Sequence, residues 1–123
     1  MKPVLVDTNV WIGHFRQKNL LLSAMLEDGE IWSHPIVVGE LSMGTLKNRK
    51  QTLLDLSNLG RPPIASLSET RQMVEKRELW GKGIQWNDAQ ILASAILGSV
   101  TLWTFDRRLK EFAAEAGVDF AGH

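Results

Sequence analysis

The sequence contains no cysteine among its 123 residues. A disulfide framework, a thiolate zinc site and a cysteine nucleophile are therefore excluded, and a reducing compartment is the simplest expectation. The formal net charge at pH 7 is zero, because 14 lysine and arginine residues balance 14 aspartate and glutamate residues. A strongly basic nucleic-acid binder is thus excluded, although a local basic face remains open.

Long apolar runs are missing as well. No uninterrupted run approaches the roughly 20 residues of a membrane-spanning helix, and the first residues reach Asp7 too soon for a signal peptide. We therefore expect a cytoplasmic protein with no membrane segment. The 44% of apolar and 23% of charged residues are typical of a folded globular protein. This length fits one domain over residues 1–123.

Short β-branched runs alternate with helical patterns along the chain. Strands are predicted at residues 4–6, 31–32 and 100–105, with a small edge strand at 118–120. Apolar residues at helical spacing predict helices at 11–15, 20–26, 35–46, 53–59, 68–80, 89–97 and 107–116. Strands separated by helices predict an α/β fold with a mostly parallel central sheet.

Three aspartates stand where predicted elements begin or end. Asp7 and Asp106 each follow a strand, and Asp88 opens the apolar helix after Gly83. In open parallel sheets the ligand crevice lies beyond the carboxyl ends of the strands, so Asp7 and Asp106 share one crevice if their strands are neighbours. The alternative is helix capping, which aspartate performs well and which alone explains each residue taken singly.

Glu40 is different, because it falls inside a predicted helix. Its neighbours at helical spacing include Val37 and Met43, and no lysine or arginine stands three or four residues away. An unpaired carboxylate on such an apolar stripe costs several kcal/mol, so a distant cation, a proton or a metal must compensate its charge. The alternative is a glutamate at the rim that reaches solvent.

Four carboxylates without cysteine suit a hard divalent cation such as Mg²⁺ or Mn²⁺, which chooses oxygen ligands. Carboxylates brought together without a cation raise one another's pKa, and a bound ion removes that penalty. Such an ion also activates a water and stabilises the charge that develops on a phosphodiester. The sequence therefore suggests metal-assisted phosphodiester hydrolysis, although spacing alone does not bring the four acids together.

Four segments carry a family resemblance, and they lie at residues 6–12, 34–41, 87–95 and 104–109. They read Val-Asp-Thr-Asn-Val-Trp-Ile, His-Pro-Ile-Val-Val-Gly-Glu-Leu, Asn-Asp-Ala-Gln-Ile-Leu-Ala-Ser-Ala and Thr-Phe-Asp-Arg-Arg-Leu. In this order they resemble the motifs of PIN-domain ribonucleases, and more narrowly of the VapC toxins of toxin–antitoxin pairs. The resemblance implies a three-layer α/β/α sandwich with a parallel central sheet, and acids that bind Mg²⁺ or Mn²⁺ to cut RNA.

The resemblance also assigns roles to single residues. The four acids of the family match Asp7, Glu40, Asp88 and Asp106, and Thr104 matches a polar position that supports the last of them. Many relatives have a further acid where this chain has Arg108, so a single ion is the more cautious expectation. Arg107 and Arg108 are candidates for RNA phosphate contacts, with solvated charge as the equal alternative.

The function implied by the resemblance is an endoribonuclease toxin that cleaves structured RNA, transfer RNA being the common choice. It further implies a homodimer and a cognate VapB-like antitoxin that covers the crevice. Two alternatives stay open: a non-catalytic α/β interaction module whose acids are only caps, and a haloacid dehalogenase-like phosphatase. The phosphatase is disfavoured because such enzymes need a second aspartate where Asn9 stands.

Aromatic residues and histidines outside these motifs are interpreted as structural. Trp80 and Trp86 flank a glycine-rich loop and are able to stack on a base, but packing is the favoured interpretation for both. His14, His34 and His123 have no partner at metal-ligand spacing and are expected to be structural or exposed.

Overall fold

The computed structural model describes residues 3–121, so His123 lies outside the described part of the chain. Over that range three strands form one parallel sheet, and each strand is followed by at least one helix. The strands are β1 (Val4–Val6), β2 (Ile31–Trp32) and β3 (Thr101–Trp103). The helices are α1 (Thr8–Arg16), α2 (Leu20–Glu27), α3 (Pro35–Ser42), α4 (Arg49–Ser57), α5 (Leu67–Arg77), α6 (Trp86–Gly98) and α7 (Arg107–Glu115).

Strand β1 is the centre of the sheet, whose order is β2-β1-β3. It pairs in parallel with β2, Val4 opposite Ile31, and with β3, Val6 opposite Trp103. All three residues of β1 are buried although successive side chains point to opposite faces. Helices therefore cover both faces of the sheet, which confirms the predicted α/β sandwich with a parallel sheet.

Two predicted strands are shorter in the structure. Strand β3 ends at Trp103, whereas the apolar pattern runs on to Phe105. The predicted edge strand forms a single parallel bridge, between Leu102 and Asp119. The amide of Phe120 donates to the carbonyl of Leu102 at 3.1 Å, so this segment still closes the outer side of β3.

A glycine extends the opposite side of the sheet beyond β2. Gly60 forms a parallel bridge to Trp32, and its carbonyl accepts from the amide of Ser33 at 2.8 Å. A Cβ atom at position 60 would lie only 2.5 Å from the indole nitrogen of Trp32. Position 60 therefore requires glycine, because any side chain would displace a rigid ring next to the backbone that leads into α3.

Helix α3 is shorter than its apolar pattern predicts, because it ends at Ser42 and not at Leu46. The amides of Met43 and Gly44 bond carbonyls three residues back, so the last turn tightens and the helix stops. Helix α6 begins earlier than predicted, at Trp86, and six of its residues are buried. It contacts α3, α5, α7 and β3, and so forms much of the core beside the sheet.

Within residues 3–121, no helix is both long enough and apolar enough to cross a bilayer.

Candidate active site

Asp7 and Asp106 lie at the same edge of the sheet, as the sequence predicted. Asp7 directly follows β1, and its amide donates to the carbonyl of Trp103, the last residue of the neighbouring β3, at 2.9 Å. Asp106 comes three residues after Trp103 and caps the N-terminus of α7. The condition set by the sequence, that the two strands be neighbours, is therefore met.

The Asp7 carboxyl group is buried, with only 4% of the residue exposed. Its Oδ1 accepts from the Thr8 amide at 2.8 Å, and its Oδ2 accepts from the Thr104 hydroxyl at 2.7 Å. Burial raises the pKa of Asp7 to about 6, against the lowering effect of these two hydrogen bonds. The nearby charges of Asp88 and Glu40 raise the pKa further, so at least three of the four acids sense one another.

Thr104 links the residues at this edge. Its fully buried hydroxyl donates to Asp7 and accepts from the Asp106 amide at 3.0 Å and from the Asn9 side-chain amide at 3.3 Å. Asn9 in turn accepts from the amide of Phe105 at 3.0 Å. The carboxyl of Asp7 is thus fixed by the same hydroxyl that shapes the turn before Asp106.

Glu40 faces this group of residues from α3. Its Oε1 accepts a 2.6 Å hydrogen bond from the hydroxyl of Thr8, the first residue of α1. Glu40 is half-buried, and this hydrogen bond holds one of its two carboxylate oxygens. The Thr8 hydroxyl is a neutral donor, so it does not compensate the negative charge of Glu40. The nearby carboxylates add further negative charge.

Asp88 and Asp106 combine a capping role with a place among the acids. Asp88 accepts from the Gln85 amide at 3.0 Å, and Asp106 accepts from the Leu109 amide at 3.0 Å. Burial raises the pKa of Asp88, and so do the charges of Asp106 and Glu40. The capping alternative is therefore correct for the aspartates as local geometry, and it coexists with electrostatic proximity.

The donor set fits a hard divalent cation. Neither of the ion pairs found in residues 3–121, Arg107–Glu111 and Lys110–Asp119, involves any of the four acids. Over the same part of the chain, no group of three or more acid or imidazole side chains is arranged so that it could hold a metal ion. The carboxylates supply the oxygen ligands that Mg²⁺ or Mn²⁺ prefers. A bound ion would offset their excess negative charge, which otherwise raises the carboxyl pKa values.

The two candidate RNA-contacting arginines differ in their surroundings. The Arg107 side chain is 92% exposed and forms a 3.5 Å ion pair with Glu111, one turn further along α7. Arg108 donates from Nη1 to the carbonyl of Lys82 at 3.3 Å, and so holds the loop before α6. Contact of either residue with RNA stays a prediction.

The structure corrects one interpretation of the aromatic residues. Trp11 and Trp103 are buried, but Trp80 and Trp86 are 58% and 42% exposed, which contradicts the favoured interpretation that both serve packing. The reason is local: the loop before α6 carries Trp80 outward, and Trp86 stands at the first position of the helix.

His34 is structural, as predicted. It is buried, and its Nδ1 accepts from the Ile36 amide at 3.0 Å, which caps α3. Its Nε2 lies 2.9 Å from the Ser94 hydroxyl of α6. Burial, aided by the charge of Arg61, lowers the pKa of His34 to about 4, so the ring is neutral at neutral pH.

Sequence reasoning missed the roles of Thr8 and Asn9. Their bonds join residues 32 and 96 positions apart, to Glu40 and Phe105, and no local pattern announces such contacts. The available signal was the run Asp-Thr-Asn directly after a buried strand. Three small polar residues there are more than one helix cap requires.

Comparison with known proteins gives two results. Residues 4–115 match the family model described as PIN domain. The chain is also 43% identical over 119 residues to "Ribonuclease VapC32" of Mycobacterium tuberculosis, in strains CDC 1551 / Oshkosh and ATCC 25618 / H37Rv. In each case the similarity covers 96% of this chain and 96% of the relative.

Proposed function

This chain belongs to the PIN-domain family and, within it, to the VapC ribonucleases, and from that premise we propose a metal-dependent endoribonuclease that acts as a toxin. The residues that would hold Mg²⁺ or Mn²⁺ are Asp7, Asp88 and Asp106, with Glu40 completing the site directly or through a water. The reaction is hydrolysis of an RNA phosphodiester by an activated water.

One observation carries the metal site. Asp7 is buried, oriented by two hydrogen bonds and within the electrostatic influence of Asp88 and Glu40, yet none of the ion pairs within residues 3–121 offsets its charge. A buried carboxyl serving only as a cap gains nothing from neighbouring Asp88 and Glu40, which raise its pKa. Such an arrangement is maintained against its own electrostatic cost, which is typical of a functional site.

The chain's own residues prepare Asp7 and Glu40 for this task. Thr8 and Thr104 each occupy one lone pair of Asp7 and leave one on each oxygen for a further ligand. The Thr8 hydroxyl fixes one oxygen of Glu40 in the same way and leaves Oε2 available. When bound, the ion would lower the pKa of its water and stabilise charge that develops on the phosphate.

The substrate and partners follow from the family. We propose structured RNA as the substrate, transfer RNA in particular, and the cytoplasm as the place of action. We also propose a homodimer and a cognate VapB-like antitoxin that covers the acids. Arg107 is a candidate for phosphate contacts, because its side chain is exposed at the first position of α7, next to the capping Asp106.

The direct test compares RNA cleavage by the wild type and Asp7→Asn, with Mg²⁺, with Mn²⁺ and with a chelator. We expect cleavage that needs the metal and a loss in Asp7→Asn larger than the roughly 10- to 100-fold typical of residues that only support a metal ligand. Asp28→Asn is the matched control, because Asp28 is exposed at the end of α2 and loses the same charge. Equal cleavage by Asp7→Asn and Asp28→Asn would contradict the catalytic assignment.

The alternatives left open by the sequence have less support. Asn9, which replaces the second aspartate of a haloacid dehalogenase-like phosphatase, bonds the Phe105 backbone and the Thr104 hydroxyl. A non-catalytic module would explain the caps on α1, α6 and α7. It would not explain Glu40, which lies within α3 and caps nothing.

A further inference from the structure

Two of the five tryptophans are left at the surface, and they are close together. Trp80 is 58% exposed and Trp86 42%, whereas Trp11 and Trp103 are at most 2% exposed. Tryptophan is the largest side chain and contributes most when buried, so a pair of exposed indoles commonly marks a binding surface.

The two indoles line one shallow cavity of about 150 Å³. The other lining residues are mostly apolar and include Leu79, Ile84 and Ala89, with polar Gln85 among them. The cavity therefore combines two aromatic side chains with a mostly apolar lining, which suits a planar group that is polar only at its edge.

The loop that carries the two tryptophans has a fixed shape. Glu78, Gly81 and Gly83 have positive φ angles of 54°, 71° and 91°. For glutamate this left-handed conformation costs roughly 1–2 kcal/mol, so the loop is held by its surroundings. One such restraint is the hydrogen bond from Arg108 to the Lys82 carbonyl, which ties the loop to the first turn of α7.

The loop between the two tryptophans lies beside the end of α7 that Asp106 caps, because the Lys82 carbonyl accepts from Arg108. Trp86 is the first residue of α6 and Asp88 the third, so their side chains leave the same helical turn on nearly opposite sides of its axis. A helix with its side chains is about 10–12 Å across, which sets the scale of their separation. Lys82 and Arg107 are exposed on the adjoining loop and helix and supply positive charge for a phosphate backbone.

We propose that Trp80 and Trp86 stack an unpaired nucleobase that flanks the phosphodiester held at the acids. This inference rests on the proposed ribonuclease function and adds a selection for unpaired RNA next to the cut. Bases in a duplex are paired and stacked inside it, whereas unpaired bases in loops and ends present their faces to aromatic side chains.

Binding tests this without cleavage. In an Asp7→Asn background, the Kd for a short labelled RNA of mixed sequence is measured by fluorescence anisotropy, as a single strand and annealed to its complement. Trp86→Ala is expected to raise the single-strand Kd by roughly tenfold, the size expected for one stacked base, and to leave the duplex Kd unchanged. Trp86→Phe is expected to retain most of the affinity, because it keeps an aromatic face.

The matched control is Leu20→Ala, which removes a side chain that is 76% exposed at the start of α2. It should leave both Kd values unchanged. Equal single-strand Kd values for the parent and Trp86→Ala overturn the stacking proposal. An equal rise for single strand and duplex also overturns it, because stacking on an unpaired base is specific to the single strand.

Cleavage by the otherwise wild-type chain separates this proposal from the proposed function. Trp86→Ala should raise KM for the single strand about tenfold with kcat within a factor of two. No metal-dependent cleavage by the wild type would refute the proposed function, while the binding result would still decide on the stacking surface. If Trp86→Ala instead dissociates a complex of two copies, measured by sedimentation, and leaves the single-strand Kd unchanged, the surface is a protein interface and the stacking proposal is overturned.

Discussion

At the scale of single residues, Asp7 shows how a site differs from a helix cap. A cap needs one carboxylate oxygen at the helix end, and Asp7 provides that to Thr8. Its second oxygen, bound by Thr104, serves no helix end, and burial beside other acids raises its pKa to about 6. At neutral pH the charged form of Asp7 therefore stabilises the folded protein less than its protonated form would.

The first prediction concerns this cost. The pKa of Asp7 is about 6 in the folded protein and 3.8 unfolded, so between these values the folded state binds more protons. The contribution of Asp7 to stability is thus greatest below pH 3.8 and is lost as the pH rises through about 6. In chelator, the free energy of unfolding of the wild type should therefore fall by about 2–3 kcal/mol more between pH 4 and pH 7 than that of Asp7→Asn, measured by urea denaturation. Equal falls in the two proteins would contradict the uncompensated charge.

The second prediction concerns Thr104. Thr104→Val keeps the shape but removes the donor to Asp7 and the acceptor for the amides of Asp106 and Asn9. We expect a loss of about 1–3 kcal/mol in the free energy of unfolding. We also expect a rise in the pKa of Asp7, seen as a shift of the acidic limb of the cleavage profile to higher pH. Thr104→Ser should restore the wild-type pH profile, which a role in packing alone would not predict.

At the scale of elements, His34 joins α3, which carries Glu40, to α6, which carries Asp88. The ring caps α3 through Ile36 and bonds the Ser94 hydroxyl, which also accepts from the Ala65 amide at 3.0 Å. Because Nδ1 accepts, a neutral ring carries its proton on Nε2 and donates it to Ser94. This buried network fixes the spacing of two helices that contribute acids to the site.

The third prediction follows from the titration of His34. Its pKa falls from 6.5 unfolded to about 4 folded, so between these values the unfolded state binds more protons. The stability contributed by the neutral ring is complete above pH 6.5 and is lost as the pH falls toward 4, by about 2–3 kcal/mol. His34→Asn keeps a capping side chain but removes this titration. Urea denaturation from pH 7 to 4 should show a smaller loss in the variant, and equal losses would contradict the assignment.

The sequence predicted the elements better than their ends. Strand β1 and the helix stop before Gly60 follow directly from apolar runs and breakers, because burial on both faces and backbone geometry are local properties. The end of α3 was misplaced at Leu46, since apolar residues continue past the tightened turn at Met43. Of the candidate site, the shared sheet edge of Asp7 and Asp106 was predicted, while the bonds made by Thr8 and Asn9 depend on tertiary proximity.

At the scale of the whole molecule, the net charge is zero, and the four candidate site acids come from distant parts of the chain. Parallel strands bring Asp7 and Asp106 to one edge, and α3 and α6 add Glu40 and Asp88 from the covering layer. No element holds more than one of these acids within its own turns, so their approach requires the complete fold. A ligand that neutralises them should therefore stabilise the entire domain.

The fourth prediction expresses this as a metal titration. Mg²⁺ or Mn²⁺ at a hundredfold excess over its Kd should raise the free energy of unfolding by about 2.7 kcal/mol, and a chelator should reverse the rise. Glu40→Gln and Asp7→Asn should reduce the rise, and Asp28→Asn should not. Melting curves that do not respond to either ion would contradict the metal site and favour the non-catalytic module.

Gly60 shows how far the site depends on a distant position. A methyl group there would press on the Trp32 ring and disturb the end of β2, from which the backbone continues through His34 into the helix of Glu40. Gly60→Ala should therefore behave as a temperature-sensitive allele: RNA cleavage by the purified variant would persist in the cold and vanish on warming, with every acid of the site unchanged. A sequence survey that scores only the acids would classify such a variant as active, although its RNA cleavage would depend on temperature.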